Sequence, residues 1–167
     1  MKRIKLSERL SALADFIDSG ANVADIGTNH GLLPVYLAQR GDAGRIFASD
    51  ISAGSLKAAY RSAAGAGVTD AITFINAPGL DGIPQDEVDT IIIAGMGAET
   101  IVGILRDAPW TNSEHVTLIL QPQSKVDLLT RFLYDNGYGI SNTKYVFDRG
   151  KRYLVIRRRG LGMERKS

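Results

Sequence analysis

The stretch VADIGTNHGLLP, from Val23 to Pro34, sets a carboxylate (Asp25), two glycines (Gly27, Gly31), an amide (Asn29) and a histidine (His30) between two apolar runs. A chain needs fewer polar and flexible residues than this merely to turn, so the stretch reads as a ligand loop. Its glycines can adopt positive φ and let a ligand approach the backbone. In open α/β sheets, ligands sit outside the carboxyl ends of the strands, and the first strand borders that crevice. The dinucleotide pattern G-x-G-x-x-G is absent, because Asn29 stands at the second glycine, where a side chain crowds a pyrophosphate. Asp50 closes the next apolar run, nineteen residues after Gly31. A carboxylate there can accept both hydroxyls of a ribose in charge-assisted hydrogen bonds, with Ile51 against the base. Its alternative role is to cap a helix together with Ser52. The chemistry indicated is recognition of a nucleoside that carries no diphosphate.

These residues need a scaffold, and the hydrophobic pattern supplies one. Leu6, Leu10, Leu13, Ala14 and Ile17 share a helical face that Gly20 ends. The runs NVADI, RIFASDI, AITFI, VDTIIIAGM and VTLILQP read as strands. Between them, LLPVYLAQR, AGSLKAAYRSAAGAG (with Ser52 as N-cap), AETIVGILRDA and KVDLLTRFLYDNG read as helices. Nearly continuous apolar runs alternating with amphipathic helices predict a parallel sheet covered on both faces. After Gly137 the pattern changes: YGISNTKYVF and KRYLVIRRR, joined at DRG, predict an antiparallel hairpin, with Tyr153 and Val155 facing opposite to Leu154 and Ile156. The expectation is one α/β domain over residues 1–167, a mostly parallel, Rossmann-like sheet of seven strands. Five parallel strands ended by a hairpin is the class I methyltransferase pattern, whereas dinucleotide dehydrogenases usually continue with βαβ units.

Length and composition agree with a single globular domain: 167 residues, 44% hydrophobic and 23% charged. No apolar run approaches the roughly 20 residues of a membrane span, and MKRIKLSERL lacks the apolar core of a signal peptide, so a cytoplasmic protein is expected. There is no cysteine, and His30 and His115 are the only histidines, so neither a thiolate nucleophile nor a metal site is expected. Charge is divided unevenly. Residues 149–167 hold eight basic side chains against Glu164, net +7, while the remainder has twelve basic and seventeen acidic, net −5. That asymmetry points to an acidic partner near the C-terminus, or else to a solvated tail. Because strand side chains alternate, Arg157 and Arg159 should share one face, forming a phosphate patch with Lys151 or its neighbours, and Arg158 the other.

The spacing of Asp25, Gly27 and Gly31 resembles the first motif of S-adenosylmethionine enzymes. Taken with KLSERL, ADIGTNHGLLP, IIIAGMG, LILQP and RFLYDNGY, it makes the stretch from Lys5 to about Ile156 resemble the bacterial tRNA (adenine-22-N1)-methyltransferases. The resemblance implies methyl transfer from S-adenosylmethionine to N1 of an adenine in tRNA. It further implies cofactor binding by Asp25, Gly27, Gly31, Asp50, Ile51, Gly79, Leu80 and Ala94. Asn29, His30, Gly95, Met96, Gln121 and Pro122 would surround the target base, and Arg9, Arg131, Lys151, Arg157 and Arg159 would meet RNA. Simpler roles stand beside these: His30 as a hydrogen-bonded structural residue, Met96 as packing, and Gln121-Pro122 as a strand end. Tyr36, Trp110 and Tyr138 are candidates for stacking on a displaced base, or packing residues. Three features depart from the family pattern. Asn29 replaces an aspartate proposed to take part in catalysis, and Pro78 replaces a carboxylate that meets the cofactor's adenine amine. The helical C-terminal domain that helps grip RNA has no counterpart in this sequence, so tRNA binding is expected to be weak. No metal, membrane or obligate protein partner is expected. The alternatives are an S-adenosylmethionine-binding module without activity and a methyltransferase for small molecules.

Overall fold

The computed structural model describes residues 2–162; Met1 and residues 163–167, including the charged Glu164, Arg165 and Lys166, lie outside the described residues. Strands β1 (Val23–Ile26), β2 (Ile46–Asp50), β3 (Thr73–Asn76), β4 (Thr90–Met96), β5 (Thr117–Pro122), β6 (Asn142–Asp148) and β7 (Lys151–Arg158) build one sheet, in the order β3-β2-β1-β4-β5-β7-β6. The first five run parallel, and β7 lies antiparallel to both β5 and β6. This is the expected Rossmann-like sheet with its terminal hairpin.

Alternate residues of each strand feed two separate cores. On one face, α1 (Glu8–Asp15), α2 (Leu32–Arg40) and α3 (Ala53–Ala66) pack Leu13, Leu33, Leu37 and Ala63 against Val23, Ile46, Ile92 and Ile119. On the other, α4 (Ala98–Asp107) and α5 (Val126–Asp135) pack Ile101, Leu105, Leu129 and Leu133 against Ala24, Phe47, Ile91, Ile93, Leu118 and Leu120. With helices on both faces, β1 and β5 are buried along their whole lengths, which is why their sequences show no polar alternation. The edge strand β3 is not so covered, and Thr73 and Asn76 are exposed.

Local chemistry sets the boundaries. Ser52 caps α3 by accepting the Ser55 amide at 3.2 Å, and Ser7 caps α1 through Leu10 at the same distance. The first helix ends at Asp15, short of its apolar face, because the Phe16 and Ile17 amides donate to Leu13 and Ala14 in a tighter turn that still buries Ile17. Tyr138–Ser141, expected to begin the hairpin, is not strand. Gly137 (φ 77°) turns the chain so that the Tyr138 amide closes α5 on the Leu133 carbonyl, and the buried Tyr138 hydroxyl meets Thr111 Oγ1 at 2.9 Å. The hairpin turn itself is Arg149-Gly150, both at positive φ as a type I′ turn requires.

The arginine run alternates faces as expected but assembles no phosphate patch with Lys151. Arg157 donates to Asn142 Oδ1 at 2.8 Å and lies 4.6 Å from the Phe16 ring centre, while Arg159 pairs with Asp18 at 3.1 Å. Arg158 points the other way, into the carbonyls of Thr111, Asn112, Ser113 and Val116 at 2.7–3.2 Å. Since Arg157 and Arg158 sit opposite Ile119 and Leu118, they lie toward the amino-terminal end of the parallel strands. Lys151 is at the other end of the same strand, about 20 Å away at the usual rise per residue.

Arg158→Ala should therefore lower stability by about 2–3 kcal/mol, because several carbonyls lose one charged donor. Arg159→Ala removes only an exposed ion pair and should change it by less than about 0.5 kcal/mol. Urea unfolding of both variants measures the contrast; equal losses would show that the Arg158 contacts contribute nothing.

Candidate functional site

The loop leaving β1 turns through left-handed conformations at Gly27, Asn29 and Gly31 (φ 72°, 57° and 72°). Neighbours explain the glycines. A Cβ on Gly31 would stand 2.7 Å from the Ala59 Cβ, and one on Gly27 would collide with the Met96 methyl. Asparagine is among the few side chains tolerated in that conformation. The loop is held by the end of β2: the Ser49 carbonyl accepts the Gly27 and Thr28 amides at 2.9 Å each, and Asp50 Oδ2 accepts the Asn29 amide at 3.0 Å. Asp50 Oδ1 accepts the Ser52 amide at 2.9 Å, so the capping role is real. A carboxylate has about four acceptor positions, which leaves room for further donors.

Beside this loop, β4 ends in a bulge between Ala94 and Met96, with Gly95 at φ 77°. The Gly95 amide donates to Gln121 Oε1 at 3.1 Å, and Arg9 Nη1 donates to the same oxygen at 2.9 Å. Gln121 Nε2 is occupied in turn by the Pro122 carbonyl and Gln123 Oε1. Gln121 thus fastens α1, β4 and β5 together.

Two adjoining basins open at the carboxyl ends of β1, β2 and β4, sharing Gly27, Asp50 and Met96. The outer one, about 480 Å³, has apolar walls from Ile51, Pro78, Leu80 and Ile104, and Trp110 among its lining. Asp50, Asp81 and Asp107 also line it, with no Lys or Arg. The inner one, about 470 Å³, gathers Arg9, Asp25, Thr28, Asn29, His30, Gly95 and Gln123. Among the described residues, no group of three or more His, Asp or Glu is placed to hold a metal ion, and no helix is long and apolar enough to cross a membrane.

A methyltransferase-domain family model matches residues 6–156. The tRNA (adenine(22)-N(1))-methyltransferase of Bacillus subtilis is 33% identical over 156 residues, covering 93% of this chain and 66% of that relative. The crystal structure of the B. subtilis M1A22 tRNA methyltransferase TrmK superimposes with a TM-score of 0.88 at 32% identity, over 96% of this chain and 68% of that one. The chain belongs to the tRNA (adenine-22-N1)-methyltransferase family. A Streptococcus pneumoniae chain solved with S-adenosyl-L-methionine is similar too, with a TM-score of 0.86 and 30% identity over 98% of this chain and 77% of that one. The chain thus spans about two thirds to three quarters of the length of these relatives.

The family reading sorts the expected residues by place. Ile51, Gly79 and Leu80 line the outer basin, Asp25, Asn29, His30, Ala94, Gly95 and Arg9 the inner one, and Gly27, Asp50 and Met96 both. Gly31 lines neither basin and serves helix packing on Ala59. Gln121 and Pro122, expected around the target base, are buried, and Gln123 reaches the inner basin instead. Arg131 is exposed on α5 and lines neither basin. Of the aromatic candidates, Tyr138 is buried, Tyr36 packs beneath Arg40, and only Trp110 lines a basin. Sequence reasoning missed Thr28, Gln123, Asp81 and Asp107. Thr28 stands in the motif itself, whereas Asp107 ends a helix distant in sequence, and no spacing marks it.

Burial pushes the Asp25 carboxyl up to about 7; the Thr28 hydroxyl at 2.9 Å and the Arg9 charge lower it, and Asp50 raises it. An aspartate in the unfolded chain loses its proton near 3.8. Between those values the folded state holds more protons, so stability falls as pH rises from about 4 to 7 and levels off above. Asp25→Asn, which cannot ionise, should remove that decline and stabilise the ligand-free protein by about 2–4 kcal/mol at pH 8 relative to pH 4. Thermal unfolding across pH for both proteins tests this, and parallel curves would refute it.

Proposed function

We propose that the chain is an S-adenosylmethionine-dependent methyltransferase that modifies N1 of an adenine in tRNA, in the cytoplasm. The observation that carries the reading is the placement of Asp50 between two basins of opposite character. The outer basin suits an adenosine: apolar walls for the base, Asp50 for the ribose hydroxyls, and no cation to attract a diphosphate. Asp81 and Asp107 offer side-chain acceptors for the exocyclic amine, which the Pro78 ring cannot. The inner basin suits the amino-acid end, with Asp25 available to an ammonium and Arg9 to a carboxylate. When bound, S-adenosylmethionine supplies an electrophilic methyl group on sulfur.

The rest of the chemistry asks little of the protein beyond placement. N1 of neutral adenine already carries a lone pair, so no general base is needed to create the nucleophile. Asn29, exposed at the edge of the inner basin, can accept from the exocyclic amine or donate to N1 before reaction. The Gly95 bulge leaves space for the base, and Gln121 holds that bulge against β5. Orientation and exclusion of water supply the acceleration. The target base must also leave its stack to be reached.

Incubation with labelled S-adenosylmethionine and an unmodified tRNA transcript, followed by nucleoside mapping, tests the reading: label should appear in N1-methyladenosine. Label absent from RNA despite cofactor binding would leave a binding module. In the same assay Asn29→Asp should retain or raise turnover, while Asn29→Gly, which keeps the left-handed backbone, lowers it with cofactor affinity nearly unchanged; wild-type turnover in the glycine variant would reduce Asn29 to a turn residue.

Asp50→Ala should weaken S-adenosylhomocysteine by about 1.5–3 kcal/mol, the range for hydrogen bonds to a charged group. Calorimetry giving equal affinities would remove the ribose assignment.

A further inference from the structure

The basic residues divide into two populations. Arg157, Arg158 and Arg159 are engaged by Asn142, by backbone carbonyls and by Asp18. Arg149, Lys151 and Arg152, at the tip of the β6–β7 hairpin, are exposed, and none forms an ion pair among the described residues. The hairpin pairs Phe147 with Arg152 and Tyr145 with Leu154, so these four side chains share one face of the ribbon. On that face Tyr145 and Phe147 are 57% and 67% exposed, and the Arg152 guanidinium lies 4.5 Å from the Tyr145 ring centre.

The tip also lies beside the site. Since β7 runs antiparallel to β5 with Ile156 opposite Leu120, Lys151 and Arg152 project past the carboxyl end of β5, the strand next to β4, at the end of the sheet where the basins open. Asp148, on the ribbon face turned to α1, accepts the Arg9 amide at 3.3 Å with its Oδ2, and the Arg9 side chain lines the inner basin; the two rings lie on the opposite face, on the side of α4 and α5, so the tip straddles the end of the sheet.

We propose that the hairpin tip is an RNA-docking surface: Tyr145 and Phe147 stack on unpaired bases next to the one entering the inner basin, while Arg149, Lys151 and Arg152 meet the flanking phosphates. Every base offers a π face, so such stacking tolerates sequence, and the cations track the backbone. The complementarity is what selects RNA as the occupant: exposed rings with Arg152 on one face of the ribbon, Lys151 on the other and Arg149 in the turn, three cations without an ion pair among the described residues, around two rings at the carboxyl end of the sheet. The inference rests on the tRNA reading above, and it moves the RNA contacts from the Arg157–Arg159 end to the opposite end of the same strand.

The test uses the full chain and a fluorescent tRNA transcript, titrated at several salt concentrations in the presence of S-adenosylhomocysteine. Tyr145→Ala with Phe147→Ala should weaken binding about tenfold with an unchanged salt slope. Arg149→Asn, which keeps a residue tolerant of positive φ, with Lys151→Gln should flatten the slope by roughly one to two units. Arg159→Gln, at the far end, should change neither quantity, and calorimetric affinity for S-adenosylhomocysteine should be the same in all. If the wild type methylates tRNA but both tip variants bind it with wild-type affinity and slope, the hairpin proposal fails and the functional reading stands. If the wild type neither binds nor methylates tRNA, both fail. A ring variant whose sedimentation changes while its tRNA affinity does not would identify a protein interface and overturn the proposal.

Discussion

Everything at the carboxyl end of the sheet depends on a five-residue turn that passes three times through left-handed conformations without stranding its amides. The Ser49 carbonyl takes two of those amides and the Asp50 carboxylate a third, so the end of β2 is the template on which the β1 loop is folded. The constraint is mutual. Asp50 is fixed by the loop it fixes, and a carboxylate held by backbone donors on two sides keeps its remaining lone pairs aimed outward without side-chain entropy left to lose. The crevice between the two loops is a consequence of that arrangement rather than an addition to it.

Electrostatics then distinguishes the two basins. Asp25 is buried deeply enough to favour its neutral form, yet the Thr28 hydroxyl and Arg9 charge are arranged to favour the ionised one. A cation beside it would tip that balance, because the same burial that penalises a lone carboxylate strengthens a paired one. Arg9 belongs to the same economy. It is carried by the first helix, whose capping serine and tight last turn have no catalytic meaning of their own, and Gln121, accepting from both, ties it to the β4 bulge.

Much of the architecture was legible because burial on both faces leaves strands no polar alternation, and helix caps such as Ser52 announce themselves locally. The gathering of Asp25 and Asp50 at the carboxyl end of the sheet was legible for a related reason: a polar residue at the end of an apolar run has few structural uses. What failed was long-range. Tyr138 reads as a strand aromatic, but α5 needed a residue to close its last turn, and a pocket beside Thr111 and Arg158 accepted the ring. Gln121 and Gln123 are indistinguishable as letters, and only the pairing of β5 with β4 decides which one is buried as a fastener and which faces the basin.

The arginine-rich strand shows the limit most sharply. A run of like charges suggests one electrostatic surface, but a strand of eight residues is long enough to cross the whole sheet, so its two ends serve different neighbourhoods. At the end where Arg158 lies, the carbonyls of Thr111, Asn112, Ser113 and Val116 converge, and a guanidinium, with five donors in a rigid fork, is the side chain able to satisfy several of them together. Its charge is absorbed by structure: burial draws its pKa down, and Tyr138 and Glu114 draw it back up. At the other end Arg149 and Lys151 are exposed, and Arg152 lies over the exposed Tyr145 ring. Composition counts the two alike; only the antiparallel register of β7 against β5 separates the cations that hold the fold from those free to meet a ligand.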